Sequence, residues 1–137
     1  PLLCAAPAYL ERHGVPRTVA DLTNPNCLGY TLTTPGGTKT WSFGRDGEIT
    51  TPIHGNLQAN SGEALVSAAI AGLGLVYGPH YMASAALADG RLVALTLDVP
   101  MVQFFSIYAV THADRRPSAK ARAWIDYLAA TLPKRLA

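Results

Sequence analysis

One stretch near the middle of the chain constrains the fold more than any other. Residues 57–59 suit a short strand, and an alanine-rich helix is predicted over residues 60–71. Asn60 is a favourable N-cap for that helix, Glu63 stands three residues later, and glycines end it. A buried strand is then predicted over residues 73–77. A strand, a helix and a second strand in this order are typical of an α/β sheet.

The same alternation continues on both sides of this stretch. Further strands are predicted at residues 2–6, 27–33, 39–43, 48–53, 92–97 and 104–110, and further helices at 8–13, 80–88 and 119–131. Arg45-Asp46-Gly47 is a hairpin turn signal, and Thr18 with Asp21 predicts a capping box for one helical turn. We therefore expect an α/β fold in which a mostly parallel sheet is flanked by helices, with one inserted hairpin.

Length and composition indicate one compact domain whose surface something else normally covers. The 137 residues are enough for a hydrophobic core, but only 15% of them are charged, against about a quarter in an average soluble domain. The first residue is Pro1 rather than Met, and the chain opens directly in a strand-like run. We therefore expect a piece of a larger domain.

The cysteines and the apolar runs point to a protein of the cytoplasm. Cys4 and Cys27 both lie in strand-like runs, where buried free thiols are expected rather than a disulfide framework or a metal site. The start of the chain lacks the features of a signal peptide. The most apolar stretch, residues 64–77, is too short and too interrupted by glycine to span a membrane.

Positive charge is concentrated late in the chain, although the net charge is only +2. Six of the eleven Lys and Arg residues fall there: Arg115, Arg116, Lys120, Arg122, Lys134 and Arg135. A nucleic-acid patch is one reading of this cluster. No aromatic pattern or motif accompanies the charges, so a solvated helix face is the plainer reading.

The sequence contains no arrangement that demands catalysis. Ser42 and Ser61 lack the preceding glycine of a nucleophile elbow, and the four histidines are scattered without metal-ligand spacing. Gly72, Gly74 and Gly78 resemble a dinucleotide fingerprint only in part, because Tyr77 occupies the place of its third glycine. We expect no enzyme, no metal and no cofactor.

One positive feature remains, at the start of the central helix. Asn60-Ser61-Gly62-Glu63 follows a strand, so the free backbone N–H groups of the first helical turn point away from the strand end. A carboxylate or phosphate is favoured there by the unpartnered amides and by the helix dipole. The alternative is a cap that satisfies itself, with the Asn60 side chain occupying the amides.

Five segments, in order and at natural spacings, resemble LysR-type transcription regulators. The segments are LCAAPAYLERHGVPRTVADL, CLGY with the later WSF and DGE, GNLQANSGEALVSAAIAGLGL, GPHYMASAALADGRLVALT and YAVTHADRRPSAKARAWIDYLA. The resemblance covers nearly the whole chain. It implies an effector-binding domain with the fold of a type 2 periplasmic binding protein, in which two α/β lobes enclose a ligand cleft.

The resemblance also implies how this chain is divided and what it binds. Residues 1–100 would form the second lobe with its entry hinge, and residues 101–137 the return strand and last helix of an incomplete first lobe. The expected partners are a small-molecule effector, often a carboxylate, and further copies in a dimer or tetramer. Operator DNA would be bound only through a winged helix-turn-helix that is absent here.

Carried over residue by residue, the resemblance places three segments of the second lobe at the cleft. The implied ligand-binding residues are Tyr30, Thr31, Asn60, Ser61, Gly78, Pro79 and Tyr81. Ordinary core packing is the alternative for Tyr30 and Tyr81. Trp41 is expected to anchor the hairpin, and Trp124 to pack against the missing part of its lobe.

Two other functions remain open at this point. A solute-binding component of a transport system shares the implied fold, and an upstream leader peptide would favour it over the regulator. A small α/β enzyme is the third reading and lacks a supporting constellation. For the regulator, we expect hinge closure near residues 3–6 and 104–108, and association through the unpaired faces of the last strand and helix.

Overall fold

The computed structural model describes residues 1–32, 39–102, 108–112 and 117–136. The chain divides into two compact units, Pro1–Phe104 and Phe105–Ala137. The end of the strand predicted at 27–33 and most of the return strand predicted at 104–110 lie outside the described residues. Within the described part of the chain, no helix is both long and apolar enough to cross a membrane.

Strands and helices alternate along the chain as the sequence predicts. In order they are β1 (Leu2–Ala5), α1 (Pro7–His13), the 3-10 turn η1 (Ala20–Thr23), β2 (Cys27–Tyr30), β3 (Thr40–Phe43), β4 (Ile49–Pro52), β5 (Gln58–Ala59), α2 (Gly62–Ile70), β6 (Leu75–Gly78), α3 (His80–Ala88), β7 (Val93–Leu95) and α4 (Ala119–Leu136). The capping box predicted before η1 is present. The Asp21 N–H donates to Thr18 Oγ1 at 3.3 Å, and the Thr18 N–H donates to Asp21 Oδ2 at 2.8 Å.

Five strands form the main sheet, in the order β5-β2-β6-β1-β7. The pairings of β2 with β5 and with β6 are parallel, whereas β1 is antiparallel to both β6 and β7. The sheet is therefore mixed, where we expected a mostly parallel one. The α/β class is confirmed, and the difference comes from β1 alone. β1 runs antiparallel to the other four strands. Because it lies between β6 and β7, both of its pairings are antiparallel.

The inserted hairpin consists of β3 and β4, which pair antiparallel with Trp41 opposite Thr51. Its turn passes through Gly47, whose φ of 75° lies in the left-handed region that glycine adopts without strain. An isolated bridge joins Phe43 to Met101, and the Gly44 N–H donates to the Pro100 carbonyl at 2.9 Å. These contacts tie the hairpin to the end of the first unit.

The core of the first unit lies between the sheet and the two helices that follow β1 and β5. Leu3, Leu28 and Leu75, from three adjacent strands, are fully buried, and Leu65 of α2 is buried with them. Burying a side chain of this size contributes about 1.5–3 kcal/mol relative to leaving it in water. Cys4 and Cys27 are both buried free thiols, as the sequence predicts.

Two glycines allow the loops around the start of β2 to approach its backbone. A Cβ atom on Gly74 would collide with the carbonyl oxygen of Asn26, and one on Gly55 with that of Cys27. Neither collision involves a flexible side chain that could move aside. Only glycine therefore fits at these two positions.

Asn26 joins several segments at that same end of β2. Its Nδ2 donates to Asn56 Oδ1 at 2.8 Å and to the Leu73 carbonyl at 2.7 Å, and its Oδ1 accepts from the Asn56 N–H at 2.9 Å. Its own N–H donates to the Tyr9 hydroxyl at 2.8 Å. One side chain thus fixes two loops to the strand, and its backbone fixes α1.

In the second unit, Ser118 caps α4 as predicted, since its Oγ accepts from the Ala121 N–H at 3.3 Å. Trp124 and Tyr127 stack with ring centroids 5.6 Å apart. Both rings are more than half exposed. Trp124 is therefore not packed in a core within the described part of the chain.

Candidate functional site

The N-cap of α2 is Ser61, one residue after the predicted Asn60. Ser61 has extended backbone angles, φ −117° and ψ 116°, and its Oγ accepts from the Ala64 N–H at 3.3 Å. The prediction of Asn60 was wrong because β5 ends at Ala59 and a bend at Asn60 precedes the helix. As a result Glu63 is the second helical residue, too early to close a capping box.

The first turn of α2 keeps two N–H groups without a partner among the described residues. Ser61 satisfies the Ala64 N–H through its side chain and the Leu65 N–H through its carbonyl. The N–H groups of Gly62 and Glu63 have no such acceptor. The alternative of a cap that satisfies all of its own N–H groups therefore holds only in part. The capping side chain is Ser61 rather than Asn60. The helix dipole adds partial positive charge at the same place.

Tyr30 and Thr31 lie beside this helix start because β2 and β5 are neighbours. Tyr30 pairs with Ala59, and the Thr31 N–H donates to the Ala59 carbonyl at 3.0 Å. Tyr30 is half-buried and packs against the core, which fits the packing alternative. Thr31 is exposed, and the following Leu32 is 67% exposed.

The third predicted segment follows β6 on the other side of β2. Gly78 ends the strand, and Pro79 is the N-cap of α3 with a φ of −62°. Tyr81 is 48% exposed, so core packing does not explain it. Since β5, β2 and β6 run parallel, their carboxyl ends reach one edge of the sheet. The structure thus places all seven predicted residues along that edge, where open α/β sheets bind ligands.

Met82 is a residue at this edge that the sequence did not reveal. A Cβ atom on Gly62 would collide with the Met82 side chain, which therefore lies directly against the first turn of α2. In the sequence Met82 is one apolar residue among several in an alanine-rich helix, and no spacing distinguishes it. Its thioether gives the edge an apolar, polarisable surface next to the free N–H groups.

An aromatic cluster fixes the hairpin next to the last residues of β6. The Tyr77 ring lies 5.1 Å from Phe43 and 5.5 Å from Trp41, measured between centroids, and its hydroxyl donates to the Ser42 carbonyl at 3.1 Å. Burial raises the pKa of Tyr77 to about 12. Trp41 is buried in this cluster, as expected of a hairpin anchor rather than a ligand contact.

The described residues do not include a reactive nucleophile or a metal centre. Burial raises the pKa of the Cys4 thiol to about 11 and that of the Cys27 thiol to about 12, so neither forms the reactive thiolate at neutral pH. No group of three or more His, Cys, Asp or Glu side chains in the described ranges could hold a metal ion. The edge described above offers binding groups: N–H donors, hydroxyls and exposed aromatic surface.

The known proteins that this chain resembles include transcriptional regulators. The family model of the LysR substrate binding domain matches residues 1–133. The HTH-type transcriptional regulator CrgA of Neisseria meningitidis serogroup B is 29% identical over 96% of this chain and 44% of its own length. A probable HTH-type transcriptional regulator, LtrA of Klebsiella pneumoniae, is 32% identical over 96% of this chain and 43% of its length.

A solved structure agrees with these sequence matches. The regulatory domain of CrgA from Neisseria meningitidis superposes with a TM-score of 0.69 at 29% identity, covering 94% of this chain and 62% of that chain. The chain therefore spans less than half of the curated relatives it matches, and about three fifths of that regulatory domain.

Proposed function

Because this chain belongs to the LysR substrate binding domain family, we propose that it senses a small effector for a bacterial transcription regulator. The observation that carries the proposal is the pair of free N–H groups on Gly62 and Glu63. They lie at the sheet edge where β2, β5 and β6 end. The relatives, CrgA and LtrA, are transcriptional regulators, which supports this reading over a solute-binding component of a transport system.

The proposed effector is a small anionic metabolite. Its carboxylate or phosphate would accept hydrogen bonds from the Gly62 and Glu63 N–H groups, in the favourable field at the start of α2. The Ser61 and Thr31 hydroxyls would complete the polar contacts. Apolar surface is available beside them from the exposed part of Tyr81 and from Met82. The effector would therefore carry an apolar body as well as its charge.

The remaining predicted residues would shape the cleft rather than bind charge. Gly78 and Pro79 set the path of the chain between β6 and α3, and a Cβ atom on Gly78 would meet nothing within 4 Å. Asn60 lies exposed just before the cap and has no hydrogen-bond partner within the described ranges. Its amide is thus available to a ligand.

We infer a two-lobe arrangement in the complete sensor domain. Residues 1–100 would form one lobe, and residues 101–137 would belong to the other. An effector that binds the closed arrangement more tightly than the open one would shift the balance between them.

In the whole protein, this shift would act on operator DNA through an N-terminal winged helix-turn-helix. The sensor domains would associate into a dimer or tetramer, and the protein would work in the cytoplasm. The proposal includes no catalytic step, no cofactor and no membrane contact. Lys120 and Arg122 are exposed on α4, and we assign them to a solvated helix face.

A pair of Ser61 variants tests the proposed binding site in the complete sensor domain. Asp and Asn are both good N-caps of similar size, so Ser61→Asp and Ser61→Asn should both preserve the helix start. Only Asp puts a negative charge beside the free N–H groups. A thermal-shift screen of small carboxylates and aromatic metabolites identifies a stabilising compound with the unmodified domain.

We expect Ser61→Asn to keep most of that stabilisation and Ser61→Asp to remove it. Equal stabilisation of both variants would show that the compound binds elsewhere. If no anionic compound stabilises the unmodified domain, the proposal of an anionic effector is wrong.

A further inference from the structure

A shallow groove, open to solvent, lies at the opposite end of β2 from the proposed effector site. It has a volume of about 450 Å³ and lies between the ends of α1 and α2 and the loops around Asn56 and Leu73. Asn26, which lines the groove, precedes β2, whereas Tyr30, at the proposed effector site, is the last residue of that strand. The two sites are thus separated by roughly 13 Å along the strand.

Two hydrogen bonds to backbone carbonyls hold the Arg12 side chain in this groove. Its Nε donates to the Ala8 carbonyl at 3.0 Å, and its Nη2 donates to the Gly72 carbonyl at 3.4 Å. A guanidinium has five N–H donors, so three remain available. Since the two bonds already restrict the side chain, a ligand would meet a partly ordered guanidinium edge. That edge suits a carboxylate or phosphate, which it can bind with two parallel hydrogen bonds.

Two asparagine side chains in the groove keep unused donors. The Asn24 side chain makes no hydrogen bond within the described ranges, and Asn56 uses its Oδ1 to accept from Asn26, which leaves its Nδ2 unused. His13 lines the groove as well and stacks on the Tyr9 ring with centroids 4.4 Å apart. The apolar wall is formed by Leu73, which is 39% exposed.

The charges in the groove favour an anion. Of the residues that line it in the described part of the chain, none is acidic, and Arg12 carries a full positive charge. The carboxyl ends of α1 and α2 contribute partial negative charge, which the Arg12 guanidinium opposes where it donates to the Gly72 carbonyl just after α2.

We propose that this groove is a second binding site, for a small oxyanion, with Arg12 as its anchoring cation. The shared chemistry is a carboxylate or phosphate group that accepts from Arg12 and from the amides of Asn24 and Asn56. The site is separate from the sheet edge where the effector is proposed to bind, and it depends on none of the residues placed there.

Titration of the full chain with sodium phosphate and with sodium succinate tests the proposal, each followed by thermal shift and calorimetry. Sodium chloride at equal ionic strength is the reference. We expect at least one of the two anions to stabilise the protein beyond the chloride reference, and the comparison distinguishes a phosphate site from a carboxylate site. Absence of both effects overturns the proposal.

Matched variants then locate the bound anion. Arg12→Gln and Asn24→Asp should each weaken binding by about tenfold or more. Asn24→Asp is the cleaner variant, because the Asn24 side chain makes no hydrogen bond to the described residues that the substitution could break. Arg17→Gln removes another exposed arginine, one that does not line the groove, and it should leave binding unchanged.

Two results contradict the groove as the site. One is equal weakening by Arg12→Gln and Arg17→Gln, which would indicate a general charge effect. The other is loss of binding in Ser61→Asp with binding retained in Asn24→Asp. That second result would place the anion at the sheet edge and support the proposed effector site instead.

Discussion

The backbone N–H of Asn26 donates a hydrogen bond of 2.8 Å to the hydroxyl of Tyr9, a side chain that is almost completely buried. Tyr9→Phe should therefore leave a backbone donor without its acceptor. We expect the free energy of unfolding to fall by about 1–3 kcal/mol. Urea denaturation measures this change. Tyr108→Phe is the control, because Tyr108 is 79% exposed, and an equal effect of both variants would contradict the assigned role.

Asn26→Asp should destabilise the fold although it changes little in shape. One carboxylate oxygen can still accept from the Asn56 N–H, but the other would face Asn56 Oδ1 and the Leu73 carbonyl, two acceptors that now receive bonds from Asn26 Nδ2. We expect a loss of about 2 kcal/mol or more at neutral pH. The loss should shrink as the pH falls and the carboxylate takes up a proton. A loss that is independent of pH would point to a cause other than charge.

Gly55→Ala and Gly74→Ala should each destabilise the first unit strongly. The added methyl group would overlap the carbonyl oxygen of Cys27 or of Asn26, so the backbone would have to shift. We expect a cost of about 3 kcal/mol or more. Gly78→Ala is the matched control because a Cβ atom there would meet no atom of the described residues within 4 Å. Its unfolding midpoint in urea should stay near that of the unmodified chain.

Stability should fall as the pH rises above about 9. Burial raises the pKa of Cys4 to about 11 and of Cys27 to about 12, both from 9.0, and that of Tyr77 to about 12 from 10.0. Below the unfolded-state pKa the stabilisation from each protonated group is fully present. Between the two pKa values only the unfolded state releases its proton, so each group lowers stability by up to about 1.4 kcal/mol per pH unit.

Urea midpoints measured from about pH 8 to about pH 10.5 follow this decline. Cys27→Ala should lower stability at neutral pH because it leaves a small cavity, but its decline with pH should be shallower. A slope identical to that of the unmodified chain would show that the Cys27 thiol does not contribute.

Local sequence signals predicted those parts of the fold that depend on neighbouring residues. The capping box of Thr18 and Asp21 forms with both of its bonds, and Ser118 caps α4. The family expected from five segments is confirmed by the match over residues 1–133. The cap of α2 was misplaced by one residue, because Asn60 and Ser61 both favour that position and only the end of β5 decides between them.

Features that depend on distant partners were not predictable in this way. The direction of β1 follows from its neighbours β6 and β7, which lie about seventy to ninety residues away in the sequence. The bond from Asn26 to Leu73 spans 47 residues, and the contact of Met82 with Gly62 joins two separate helices. For the candidate site, the resemblance assigned three segments to one cleft, and these segments lie along the same edge of the sheet. Whether they bind an effector stays a prediction.

The reversed β1 has a mechanical consequence for any opening and closing of the lobes. Leu3 and Cys4 are each paired on both sides, with Tyr77 and Leu95 and with Val76 and Ala94. Bending the chain at these buried residues would break the hydrogen bonds of β1 to both neighbouring strands at once. We therefore expect β1 to move as a rigid part of the sheet, with any pivot at this crossing outside residues 2–5 rather than within residues 3–6, where the sequence analysis placed it.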